Sequence, residues 1–117
     1  MATLSCKAGV RFRGFTPALL RMLRAVHAVA SRLDEPSDIV ITSANDSQHM
    51  ATSRHYRNEA LDLRVRNFPT QAAVLRFAAA LRAELGPAFT VLYESRGTPN
   101  AHLHVQPRKG TEYVGPV

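Results

Sequence analysis

The run Phe89-Thr90-Val91-Leu92-Tyr93, then Glu94-Ser95-Arg96-Gly97-Thr98-Pro99-Asn100, then Ala101-His102-Leu103-His104-Val105 decides the fold class. Each flank is short and built from β-branched, aromatic and alternating residues, the composition of a strand. Between them, Arg96 to Asn100 carries glycine, proline and asparagine, the chemistry of a hairpin loop. On the second strand His102 and His104 stand two residues apart, so both imidazoles share one face.

Working upstream, Gly86-Pro87 closes a helix that follows Pro69-Thr70, with Val74, Phe77, Ala78, Leu81 and Leu85 on one side. Ala60-Leu61-Asp62-Leu63-Arg64-Val65 alternates with the period of a strand that has one buried face. Residues 44–54 turn polar and read as a loop, and Asp38-Ile39-Val40-Ile41-Thr42-Ser43 reads as another strand. Thr16-Pro17 starts a first helix, with a hydroxyl cap and proline at the first helical position. Leu19, Leu20, Leu23, Val26, Ala30 and Leu33 give it one apolar stripe, and it stops before Glu35-Pro36. Two helices among short strands predict an α+β fold: a small, mostly antiparallel sheet with two main helices. The expected core spans about residues 17–106 of a single domain over 1–117, with an extended or frayed tail at 107–117.

The 117 residues have room for one hydrophobic core, and 45% hydrophobic with 21% charged residues is the composition of a globule. The one cysteine, Cys6, excludes an internal disulfide and a multi-cysteine structural zinc site. No apolar run approaches the ~20 residues that span a bilayer, so no membrane insertion is expected. Residues 1–15 show no apolar segment ahead of their charges, so synthesis in the cytoplasm without a signal peptide is expected. The net charge of +6 favours anionic partners. The arginines are nevertheless scattered and no basic arm or recognised motif appears, so no nucleic-acid partner is expected.

His55, Asp62 and one of the pair His102/His104 are the residue types a catalytic zinc site uses, with water completing the shell. His55 precedes the strand that carries Asp62, whose carboxylate points away from the face of Leu61 and Leu63. Either His102 or His104 completes the set if the two strands are neighbours.

Ser53-Arg54-His55-Tyr56-Arg57-Asn58-Glu59-Ala60-Leu61-Asp62 resembles the Ser-x-His-x-x-Gly-x-Ala-x-Asp motif of the D-Ala-D-Ala carboxypeptidase family of zinc peptidases. That family includes the VanX and VanY types and several bacteriophage endolysins. Tyr93-Glu94-Ser95 with Ala101-His102-Leu103-His104 is similar to the corresponding segment of hedgehog signalling domains, which share this metallopeptidase fold. The resemblance covers about residues 17–106.

The resemblance implies one Zn²⁺ per chain, held by His55, Asp62 and His104. It makes Glu94 the carrier of the water's proton, with His102 as its rival, and assigns substrate binding to Gln48, His49, Ser53 and Arg54. Two positions depart from the pattern. Asn58 replaces the motif glycine, a residue that tolerates a left-handed backbone. Ala101 stands three residues before His104, where the VanX-like branch has its catalytic glutamate, so Glu94 must return to the site across a hairpin.

The activity so implied is hydrolysis of peptide bonds in cell-wall (peptidoglycan) stem peptides by metal-activated water. The setting it implies is phage-encoded or virion-associated, acting at the wall after lysis or within a virion alongside other virion proteins. The alternative is a zinc-binding structural or interaction module, such as a phage tail component or hedgehog-like domain, with little catalysis.

Overall fold

The computed structural model describes residues 2–12, 14–44 and 59–117. In chain order they form β1 (Thr3–Cys6), α1 (Pro17–Leu33), β2 (Asp38–Ser43), β3 (Leu61–Arg64), α2 (Gln71–Leu85), β4 (Phe89–Glu94) and β5 (His102–Pro107). The five strands make one sheet in the order β1-β2-β3-β5-β4. The fold is α+β, and its sheet is mostly antiparallel, with β1 and β2 the parallel pair.

Both helices begin and end where local chemistry dictates. The Thr16 hydroxyl accepts from the Leu19 amide at 3.1 Å, and the Thr70 hydroxyl accepts from the Ala73 amide at 3.0 Å. Each satisfies one of the amide donors that a helix start leaves without an intrahelical partner. Asp34 takes the left-handed conformation at the end of α1, and Gly86 (φ 76) caps α2. Three arginines join elements. Arg21 and Arg32 of α1 both reach Glu84 of α2, at 3.5 and 3.0 Å, and Arg82 of α2 donates twice to the Val91 carbonyl on β4.

The core lies between the helices and one face of the sheet. Leu19, Met22, Val26 and Val29 from α1 and Phe77 and Leu81 from α2 bury against Ile39, Ile41, Leu61, Leu63, Leu103 and Val105. Phe77 meets Phe68 edge-on, with ring centroids 5.5 Å apart. Burying each such side chain contributes about 1.5–3 kcal/mol. Alternation then sends Asp62, Arg64, His102, His104, Gln106 and Glu94 to the opposite face, where all are partly exposed.

Two differences from the sequence expectation concern the ends. Thr3–Cys6 adds a fifth strand outside the expected core, held by pairing with β2 and by Thr3 and Ser5 hydroxyls donating to Asp38 at 2.7 and 3.1 Å. It is largely exposed, so it has no apolar pattern to betray it. At the other end β5 runs through Pro107, two residues beyond the expected strand, and Tyr113 packs on Phe89 with ring centroids 4.8 Å apart.

Candidate metal centre

The position of β5 between β3 and β4 creates the site. Asp62 pairs directly with His104, and Arg64 with His102, while Glu94 of β4 pairs with His102 from the other side. Directly paired side chains on one face stand close enough to touch, and a diagonal pair is within reach of long side chains. Pairing of β2 with β3 slips between Ile41 and Ser43, an irregularity beside Asp62. There the Thr42 hydroxyl donates to the Asp62 carbonyl at 3.4 Å.

Asp62 Oδ1 lies 2.8 Å from Nδ1 of His104 and 3.7 Å from Nε2 of His102. One donor atom from each of Asp62, His102 and His104 lies within 4.8 Å of the others, a grouping able to hold a metal ion. The donor chemistry suits one: two imidazole nitrogens and a carboxylate oxygen are ligands for zinc and its neighbours. The outer hydrogen bonds suit it as well. Nδ1 of His102 donates to the Asn100 carbonyl at 2.7 Å, because a carbonyl oxygen only accepts. Nε2 of His104 faces the Gln106 side-chain oxygen at 2.7 Å. In His104 one nitrogen is thus held by an oxygen acceptor while the other meets Asp62, the arrangement that orients metal-ligating histidines. In His102 the other nitrogen meets Glu94 and lies 3.7 Å from Asp62.

Burial alone pushes the His104 pKa down. The hydrogen bonds to Asp62 and Gln106 and the negative charges of Asp62 and Glu94 outweigh that, so its value is raised above 6.5. Glu94 Oε1 sits 2.9 Å from Nε2 of His102. Its side chain is 43% exposed, against 16% for Asp62 and 13% for His104, so it meets solvent at the rim of the group.

Of the residues singled out by sequence, Asp62, His104, His102 and Glu94 come together. His55, Gln48, His49, Ser53 and Arg54 lie outside the described residues. His102, expected either to complete the metal set or to be the rival proton carrier, joins His104 in the metal-capable group, since the two alternate onto one face of β5. Glu94 bonds to His102, and Arg96 lies over the Tyr93 ring at 4.9 Å. Sequence reasoning missed Gln106 and Asn100. Gln106 continues the alternation of His102 and His104, a signal that could have found it, whereas the Asn100 carbonyl depends on the loop's conformation. No protein-family profile, curated protein or solved structure matches this chain.

Proposed function

We propose that this protein is a zinc-dependent peptidase that hydrolyses peptide bonds in bacterial cell-wall stem peptides. The observation that supports the reading is the convergence of Asp62, His102 and His104 with Glu94 at the rim. Asp62 and His104 would hold the ion, joined by His102 from β5 or by His55 from the motif. A bound zinc ion supplies Lewis acidity at a scissile carbonyl and lowers the pKa of water towards ~7.

The chain's own groups supply the proton path. Glu94 accepts a proton at Oε1 and passes it to the departing amine, the general-base then general-acid role. Where His55 completes the ion's ligands, His102, bonded to Glu94 through Nε2 and anchored through Nδ1 on the Asn100 carbonyl, keeps that carboxylate turned toward them. The surplus of positive charge suits a wall polymer rich in carboxylates.

The test is digestion of purified sacculi by wild type and by Glu94→Gln. Peptides released by wild type, and reduced about 10²–10⁴-fold in the variant at unchanged zinc content, support the peptidase. Zinc bound by both proteins with no release from either replaces it with a metal-stabilised interaction module.

A further inference from the structure

Beside the metal-capable group opens a cavity of about 530 Å³, within the range of small-molecule sites. Asp62 and His102 form part of its wall, and Lys7, Arg64 and Arg66 form another. The three cations come from separate places: Lys7 follows β1, Arg64 is the last residue of β3 and Arg66 lies just beyond it. Arg64 is the direct cross-strand partner of His102. Among the described residues of the lining Asp62 is the one acid, set against three positive side chains.

Among the described residues these three cations share with Arg24 and Arg108 the absence of an ion pair, and differ from them in lining the cavity beside Asp62 and His102. Arg21, Arg32 and Arg76 each meet a glutamate within 3.5 Å. No ion pair joins Lys7, Arg64 or Arg66 to any described residue. A concave site lined by one sign of charge raises the local concentration of the opposite sign, and guanidinium groups bind oxyanions through paired, charge-assisted hydrogen bonds.

We propose that this cavity receives an anionic oxygen group of the substrate, a carboxylate or a phosphate, on Arg64, Arg66 and Lys7. The inference deepens the peptidase reading and rests on it only for what happens beside the anion. It adds a requirement: the ligand carries a negative charge close to the bond or group that faces Asp62 and His102. A neutral ligand of the same shape leaves two guanidinium groups without a partner and binds more weakly.

Calorimetric titration tests this with three probes: N-acetyl-dialanine as the free acid, the same molecule as its amide, and inorganic phosphate. Each is titrated into chelator-treated and zinc-loaded protein. The acid is expected to bind roughly ten-fold or more tightly than the amide in both forms, the gain of a charge-assisted hydrogen bond. R64Q/R66Q is expected to abolish that preference at unchanged zinc content. K7Q, at an exposed site beyond β1, is expected to weaken it and guards against misfolding of the double variant. Phosphate binding as tightly as the acid identifies a phosphate-bearing ligand, and weaker phosphate binding identifies a carboxylate. Equal binding of acid and amide, a preference that survives in R64Q/R66Q, or no binding of any probe overturns the proposal. A preference that persists in a protein unable to take up zinc upholds the anion site while removing the peptidase reading.

Discussion

Asp62 and His104 are direct partners across β3 and β5, 42 residues apart in the chain, and their side chains meet at 2.8 Å. They are the two least exposed members of the metal-capable group. A divalent ion held there loses an anionic and a neutral donor respectively in Asp62→Ala and His104→Ala. Elemental analysis is expected to find about one zinc per wild-type chain and none in either variant. Parallel variants His55→Ala and His102→Ala decide which histidine completes the set, since loss of a true ligand abolishes uptake. Zinc retained in His104→Ala would remove the site altogether.

Gln106 does not touch the carboxylate, yet its side-chain oxygen fixes the outer nitrogen of His104. Gln106→Leu keeps the strand and the volume while releasing that nitrogen. Competition with a chromophoric chelator should show zinc affinity falling by ~10–100-fold, with the metal-free fold unchanged by circular dichroism. An unchanged affinity means that His104 does not ligate.

The raised pKa of His104 gives the metal-free protein a definite pH dependence. A histidine whose folded value lies above its unfolded value stabilises the fold fully below the unfolded value of about 6.5. That contribution disappears as pH rises through the folded value. Urea midpoints in the presence of chelator should therefore show wild type losing its advantage over His104→Gln as pH climbs above 6.5. Zinc competes with the same proton, so its affinity should rise with pH across that window in wild type. A stability difference that grows with pH would contradict the assignment.

Phe77 is fully buried and packs edge-on against Phe68. Phe77→Ala leaves a cavity at the centre of the core and should cost about 3–5 kcal/mol in urea unfolding. Thr16→Ala removes one cap from α1 and should cost about 1 kcal/mol. The two sites belong to different kinds of interaction, and the ranking tests the core described above.

The helices were legible because their ends are chemically marked. Thr16-Pro17, Thr70 and Gly86-Pro87 are stop and start signals carried by one or two residues each, so they survive without knowledge of the fold. The strands around Asp62 and His104 were legible through alternation, which also placed the two imidazoles of β5 on one face. What alternation does not specify is which strands lie side by side or in what register. The meeting of Asp62 with His104, and the arrival of Glu94 beside His102, follow from β5 lying between β3 and β4. That order is a property of the whole sheet and is written in no local segment. β1 escaped for a related reason: four mostly exposed residues acquire strand geometry only from the backbone and Asp38 of β2. The charged cavity was invisible for the same cause, since Lys7 and Arg66 are 59 positions apart in the chain and join it through the sheet.

The fifth strand to be synthesised is the fourth in space, wedged between two that precede it. Until residues 102–107 emerge, β3 and β4 are unzipped from their shared neighbour, and neither imidazole exists to meet Asp62. A ribosome-bound chain halted short of that point presents two raw strand edges, which are templates for aggregation. Closure of the sheet between β3 and β4, and the meeting of Asp62 with His102 and His104, therefore wait for the last strand to be synthesised.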